Sequence, residues 1–484
     1  MPPKSAKIGT FDAVSSKRGV RVRLRERLGL ADGTALVVSN VIGVGIFTTP
    51  AVIASLAPAP AAILGLWIVG GLLAFAGATT YAELAKLCPD SGGEYNYLSH
   101  AFGPLAGFLT GWTSLIAGFS GAIAASAVAF VSYAGHYFPS QTSALPLVSV
   151  SLGFTNLGLS RQNLLGSGVI LLFALIHILG LGPGRVAQKT LALLIVSALT
   201  VFICAGLFSG RASWAHFHSV SGSFHTKDWL LALIAVMFAY SGWNAAAYVS
   251  EEMRGSGRAV GPALALGTGI VMVLYVGLNV LLLLALTVPE MASSINVGNT
   301  AAQRLFGVAG GFLTPVFLIA FLGAISAMTI AGPRVYFAMA RDGTFPEPFS
   351  RISPRFETPA LAIGLQAGWS VILVLLGEFQ QILIYTGFAI MLSSGATVTA
   401  LYVLRRRRGL RGDPVRTLVI PAIFALASAL MIGNALYRAP KPSLIGLLLI
   451  AAGIPVFVFS RRKDANSGPV SSAIADVVVD SEGS

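Results

Sequence analysis

Charge is scarce in this chain. Asp, Glu, Lys and Arg together make up 11% of its 484 residues, where a soluble domain carries roughly a quarter. The shortage runs along the whole length, which excludes an ordinary soluble domain and points to a protein held in lipid. Cysteine is nearly absent. Cys88 and Cys204 are the only two, one beside an expected cytoplasmic loop and one in an apolar segment, so no disulfide framework is expected. The stretch Met1 to Leu30 is polar and basic; with no apolar core before a cleavage site, it is not read as a signal peptide. Also missing are a metal-ligand cluster, a deep pair of acids, a Ser–His–Asp order and a phosphate-binding glycine loop. An embedded enzyme should gather several ionisable groups at one membrane depth, and none is visible, so no metal, cofactor or catalytic residue is expected.

What is present is apolar: 55% hydrophobic residues and a mean hydropathy of +0.79. A spanning helix needs about 20 mostly apolar residues. Twelve segments qualify: Leu30–Leu56, Ala61–Tyr81, Leu105–Tyr133, Leu164–Leu181, Val186–Phe208, Trp229–Ser250, Val260–Val288, Gly310–Ala340, Ala360–Leu376, Ile382–Leu404, Thr417–Tyr437 and Ser443–Ser460. With the N-terminus in the cytoplasm, all but six of the 32 Lys and Arg fall on cytoplasmic segments or helix ends; the six are Arg161, Arg211, Lys227, Arg304, Arg438 and Lys441. That bias is the positive-inside rule, and it explains the net charge of +13 without nucleic acid. The expectation is a multi-pass protein of the plasma membrane with both termini cytoplasmic. Its polar tails, Met1–Gly19 and Ala465–Ser484, read as disordered.

Two of the twelve segments are interrupted. The first reads Leu36-Val-Val-Ser-Asn-Val-Ile-Gly-Val-Gly-Ile-Phe-Thr-Thr-Pro50. Gly43 and Gly45 lie in mid-membrane, and glycine weakens a helix by about 1 kcal/mol each. Thr48, Thr49 and Pro50 look like a fresh helix start, with Thr as cap and Pro in the first turn. A second half-helix would aim free N–H groups and a positive dipole end at the bilayer centre, which suits a carboxylate. The sixth segment is broken at Ser241-Gly-Trp-Asn244, where unwound carbonyls would suit an ammonium group. Glycine is also common at plain helix contacts. The positions carry the argument. Two five-helix halves place breaks in helices one and six at equivalent points, and an odd helix number inverts the second half. Broken helices at matching points of inverted repeats mark a midplane substrate site.

At these residues the chain resembles the amino acid–polyamine–organocation superfamily, and within it the L-type amino acid transporter branch. The likeness runs from about Leu30 to Leu404. It is carried by Gly43-Val-Gly-Ile-Phe47, by Tyr81-Ala-Glu-Leu84 with Pro89-Asp-Ser-Gly-Gly-Glu-Tyr-Asn-Tyr97, by Gly111-Trp112 and Ile123-Ala-Ala-Ser-Ala-Val-Ala-Phe130, by Phe238-Ala-Tyr-Ser-Gly-Trp-Asn244 with Glu251-Glu252, and by Gly332-Pro-Arg-Val-Tyr336 with Ala340-Arg-Asp-Gly343. The resemblance implies an all-α fold of twelve transmembrane helices. These comprise a 5+5 inverted repeat (residues 30–209 and 229–404) with helices one and six broken, plus two further helices (417–460), between tails 1–29 and 461–484. It implies a carboxylate held by the backbone of Val44, Gly45 and Ile46, and an amine at the carbonyls of Val41, Phe238 and Ser241. Gly43, Gly242, Trp243 and Asn244 complete the expected substrate site. Many relatives carry a lysine in helix five. Here Leu194-Ile-Val-Ser197 stands there, so proton chemistry through such a lysine is not expected. Relatives in animals bond an accessory subunit through a cysteine in the loop after helix three. The loop His136–Asn163 has none, so no disulfide-linked partner is expected.

The remaining polar residues sort by depth. Glu83, Glu251, Glu252, Arg334 and Arg341 lie at cytoplasmic helix ends, where they would form a gate of ion pairs or merely anchor the interface by snorkelling. Ser326 and Thr329 offer hydroxyls to a sodium ion near the first break, unless they bond back to their own helix. His177 reads as a hydrogen-bonded packing residue. Asn244 reads as a bridge or substrate ligand, and Tyr240 and Trp243 as pocket walls or packing. No acid is visible deep in the expected pocket, which favours neutral amino acids moved by alternating access as an antiporter or other secondary transporter. Cationic amino acids, polyamines and other organic amines remain the alternative cargo. A channel fits less well, because matched helix breaks suit a carrier.

Overall fold

In lipid no water is present to bond a bare N–H or C=O, so an apolar run must satisfy its backbone within itself, as a helix. The computed structural model describes residues 24–135, 137–151, 156–218, 226–255, 258–294, 296–307, 310–311, 314–376 and 379–466, and these are almost wholly helical. In chain order the helices are α1 (Leu30–Val41), α2 (Val44–Leu56), α3 (Pro60–Leu87), α4 (Glu94–Phe102), α5 (Pro104–Thr113), α6 (Phe119–Ala134), α7 (Arg161–Ile178), α8 (Leu181–Leu207), α9 (Thr226–Ala239), α10 (Ala245–Tyr248), α11 (Val260–Ala285), α12 (Val288–Ser293), α13 (Val297–Phe306), α14 (Thr314–Arg341), α15 (Ala360–Leu376), α16 (Phe379–Arg408), α17 (Ile420–Arg438), α18 (Pro440–Ala451) and α19 (Gly453–Asn466). A single π turn, Ser114–Gly118, joins α5 to α6 into one long span. Nine helices among the described residues are long and apolar enough to cross a membrane, ten if the bent pair α1–α2 counts as one. Asp228–Ala239 and Ala360–Leu376 are apolar but shorter. Leu171, Leu172, Leu175, Leu193, Val201, Leu426, Leu430 and Leu448 all point outward and are exposed, an apolar belt that a multi-pass protein turns to lipid. The two tail readings lie almost entirely outside the described residues.

Helix was expected throughout, yet the loop after the third span contains a hairpin. Strand β1 (Pro146–Ser151) pairs antiparallel with β2 (Asn156–Ser160). The run Leu-Val-Ser-Val-Ser alternates apolar with polar at a period of two, which a helix-length search passes over.

Both interruptions in the sequence are breaks in the fold. The axes of α1 and α2 differ by 43°, with Ile42 and Gly43 between them. The restart is earlier than the sequence suggests: α2 begins at Val44 with Gly43 as its cap, and Pro50 lies inside it. The Thr48 and Thr49 hydroxyls bond back to Val44 O and Gly45 O at 3.0 and 2.9 Å; neither residue caps a helix. In the other break, α9 ends at Ala239 and α10 begins at Ala245, capped by Asn244, with Gly242 at φ +101°.

The two breaks cross each other at glycines. A Cβ on Gly45 would sit 2.8 Å from Ala239 Cα, and one on Gly242 2.9 Å from the Asn40 carbonyl. Tyr275, fully buried on α11, donates its hydroxyl to Val41 O at 2.8 Å and Ala239 O at 3.2 Å. One phenol thus serves the last carbonyl of both broken helices. Tyr275→Phe removes this donor from both carbonyls, leaving Val41 O only Gly43 N at 2.9 Å, and is expected to cost about 1–3 kcal/mol, seen as a lower thermal unfolding midpoint of the purified protein; an unchanged midpoint would show that the phenol is dispensable.

Candidate functional site

Between the breaks lies a cavity with about 970 Å³ of atom-free space, its open mouth included. Val41, Gly43, Val44 and Gly45 line one side and Phe238, Ser241, Gly242 and Asn244 another. The far wall is α6 and α14, through Phe119, Ala122, Ala324 and Met328. The first N–H groups of α2 have no carbonyl of their own helix to bond, and Asn40 adds a buried side-chain amide with no protein partner. Donors for an anion therefore gather at one end of the cavity. Val41 O already accepts from both Tyr275 Oη at 2.8 Å and Gly43 N at 2.9 Å, whereas Phe238 O accepts from Ser241 N at 3.0 Å and keeps a second lone pair for a ligand.

Two residues expected in this site face elsewhere. The side chain of Ile46 lines a separate apolar pocket with Leu199 and Phe202, so only its backbone belongs to the break. Trp243 turns away from the cavity and stands edge-on to Tyr81 at 4.7 Å and to Phe424 at 5.8 Å. Gly77 on α3 makes room for the indole there, since a Cβ at that position would lie 2.5 Å from the ring. Tyr240 likewise packs, with its hydroxyl on Trp67 O at 3.1 Å. His177 Nε2 meets Ser326 Oγ at 2.9 Å, the packing role read for it, and Thr329 bonds back to Ile325 O at 2.7 Å.

The cavity has a residue that the sequence did not reveal. Glu94, the first residue of α4, lines it and is buried. Gly92 and Gly93 precede it, both at positive φ, and a Cβ on Gly93 would lie 2.5 Å from the Tyr248 ring. The glycine pair lets α4 start pressed against the break, which carries the acid inward; the adjacent glycines ahead of Glu94 were the available signal. Its Oε1 accepts from Tyr81 Oη at 2.6 Å, Asn244 Nδ2 at 3.0 Å and Ser394 Oγ at 3.0 Å. Burial raises the Glu94 carboxyl above its ordinary range, and these three bonds oppose that. The reading of an acid-free pocket is thereby corrected. A loop position says nothing of where a side chain ends up.

Along α14 the cavity sits between two layers. Toward Thr314, Phe317 and Phe321 meet Phe47 and Tyr133 edge-on, at 4.5 to 5.9 Å between ring centroids. Toward Arg341 lie ion pairs. Arg334 Nε and Nη2 hold both oxygens of Glu252 at 2.7 and 3.0 Å, with the two side chains 2% and 0% exposed. Arg341 holds Glu251 at 2.8 Å. The strap before α1 closes over them: Leu24 N donates to Glu251 Oε1, and Arg27 N and Leu28 N to Glu252 O. Glu83 has no part in this cluster; half-buried on α3, it pairs with Lys86 one turn away at 2.7 Å.

A family model described as amino acid permease matches residues 28–459. The chain is 28% identical to the large neutral amino acids transporter small subunit 2 of Mus musculus over 463 residues, 92% of this chain and 83% of that one. It is 28% identical to the serine/threonine exchanger SteT of Bacillus subtilis (strain 168) over 453 residues, covering 92% and 98%. To the Asc-type amino acid transporter 1 of Mus musculus it is 27% identical over 455 residues, covering 92% and 83%.

Removing one member of a buried ion pair strands the other and costs about 3–5 kcal/mol. Arg334→Met is expected to lower the unfolding midpoint sharply, and Arg334→Met with Glu252→Gln to recover much of that loss. Equal losses in the two proteins, compared by thermal unfolding, would show that the pair is not the source.

Proposed function

The chain belongs to the amino acid permease family, and from that premise we propose that it carries neutral amino acids by alternating access, binding each at the crossing of its two broken helices. The observation that carries this is the cavity itself, with unbonded α2 N–H groups at one end and break carbonyls at the other. An amino acid offers both complements on one carbon. Its carboxylate binds the N–H groups of Val44, Gly45 and Ile46, and its ammonium group the carbonyls of Phe238 and Ser241, with the Val41 carbonyl, which already accepts two hydrogen bonds, beside them. The names of the three relatives, two of them naming neutral substrates and one of those an exchanger, support neutral cargo and exchange.

The same reading takes residues 30–209 and 229–404 as inverted five-helix repeats and 417–460 as two added helices, twelve spans in all. The mutual crossing of the breaks supports it. The membrane is the plasma membrane, with both termini in the cytoplasm. Cationic contacts support one cytoplasmic face: Arg25 and Arg27 pair with Glu357, Arg185 and Lys189 with Asp32, and Arg407 and Arg408 bond to His100 O and Leu87 O. On that face the Glu251–Arg341 and Glu252–Arg334 pairs act as the gate, parting when the site opens inward. With no cysteine in residues 136–163, any partner subunit is held there without a disulfide. A second reading, cationic amino acids or polyamines, is favoured by the Glu94 carboxyl in the cavity wall.

Uptake of radiolabelled amino acids and putrescine into liposomes holding the purified protein tests these readings. Neutral amino acids should enter saturably, faster when internal amino acid is present; preferred uptake of arginine or putrescine would select the second reading. Gly45→Ala places a methyl 2.8 Å from Ala239 Cα and is expected to lower uptake by on the order of tenfold or more, since a misplacement near 1 Å can cost about a hundredfold. Normal uptake by that variant would move the site elsewhere.

A further inference from the structure

Glu94 is the only acid lining the cavity among the described residues, and nothing in the proposed binding of an amino acid uses it. Its three hydrogen bonds come from three separate elements: Tyr81 on α3, Asn244 in the second break and Ser394 on α16. All three fall on Oε1. No Lys, Arg or His among the described residues pairs with it. The titratable groups that face it are phenols, Tyr81, Tyr97 and Tyr248. Of the elements packed against α4, α5 has no ionisable side chain. On α14, Arg334 and Arg341 are engaged by Glu252 and Glu251. The α16 arginines stand at its far end, where Arg407 bonds the His100 carbonyl.

A carboxylate in that setting is tolerable when water fills the cavity and costly when it is shut, because a buried charge without a counter-ion carries a large desolvation penalty. The neutral acid keeps the same three donors satisfied without the charge. Closing and opening the cavity therefore changes the preferred protonation state. Asn244 feels that change directly. A hydrogen bond to a carboxylate is about twice as strong as one to a neutral oxygen, and Asn244 stands at the end of the break, immediately before α10, with its amide on Glu94 and Tyr248.

We propose that Glu94 is a proton-binding residue of the transport cycle, taking a proton from cavity water as the site closes and returning it to water as the site opens. The step makes and breaks only an O–H bond: hydronium and carboxylate become water and carboxylic acid, and the reverse. It ties the geometry of the second break to pH. The proposal rests on the reading of the cavity as the amino acid site, and the experiment separates the two.

The full-length protein is reconstituted in liposomes, and exchange of its best neutral substrate is measured with equal pH on both sides, over a series from acidic to mildly alkaline. Wild-type exchange is expected to change by about tenfold over the range that titrates one carboxyl. Glu94→Gln, locked in the neutral shape, is expected to give one rate across the series, whatever its level, and Glu94→Asp to restore a slope with a displaced midpoint. If Glu94→Gln is too slow to follow, the pH dependence of substrate-induced thermal stabilisation replaces the rate: flat in Glu94→Gln and sloped in wild type supports the proposal. A Glu94→Gln profile that still tracks wild type overturns it. So does a shift in preference between neutral and cationic amino acids with the profile unchanged, which would make Glu94 a substrate contact. Wild-type exchange that is flat with pH overturns this proposal alone, whereas a wild type that carries no amino acid at any pH overturns the cavity reading with it.

Discussion

A helix interrupted inside a bilayer strands N–H and C=O groups where no water can serve them, and the arrangement of this protein turns on how two such interruptions are met. They are placed against each other. Gly45 lets α2 touch α9 at Ala239, and Gly242 lets the second break pass the Asn40 carbonyl. Tyr275 then takes the last carbonyl of each broken helix onto one hydroxyl. What remains unbonded, the start of α2 and the Asn40 amide, faces a common cavity. The unbonded groups left by breaking two helices thus line one cavity, and its other features follow from where the breaks meet.

The long helix α14 then organises the approaches. Its middle supplies Ala324 and Met328 to the cavity wall, one end supplies aromatic rings, and the other supplies Arg334 and Arg341. The two layers differ in kind. Edge-on rings are apolar and part without stranding a charge. The buried Glu252–Arg334 pair is costly to open unless water reaches it. The strap of residues 24–28, bonded through backbone to Glu251 and Glu252, adds a third element to the ionic side.

Much of this was legible because it rests on backbone. Gly43-Val-Gly45 and Ser241-Gly-Trp-Asn244 mark breaks by their matching places in helices one and six, since Gly166-Ser-Gly168 and Gly267-Thr-Gly269 sit in unbroken helices, and the alternation of apolar segments with Lys and Arg marks the spans. Single residues were less legible. Thr48-Thr-Pro50 has the chemistry of a helix start, yet the helix begins at the glycine cap and the threonines bond back. Trp243 lies inside the break motif but turns to Gly77 and Tyr81, because its direction depends on a neighbouring helix that sequence position does not give. Glu83 and Glu251 look alike at helix ends; only packing shows that one pairs with Lys86 on its own helix and the other with Arg341 across the fold. Glu94 was hidden for the same reason. Its segment reads as a polar loop, and the turn at Gly92 and Gly93 that brings it to the cavity is visible only in three dimensions.

The central claim is that an amino acid binds where the two breaks cross. A structure of the protein solved with a transported amino acid bound tests it most directly. The account predicts the carboxylate within hydrogen-bond distance of the Val44, Gly45 and Ile46 amides and the ammonium group against the carbonyls of the breaks. An amino acid found elsewhere, for example in the polar crevice lined by Asp32, His177 and Lys189, with the crossing empty, would contradict it.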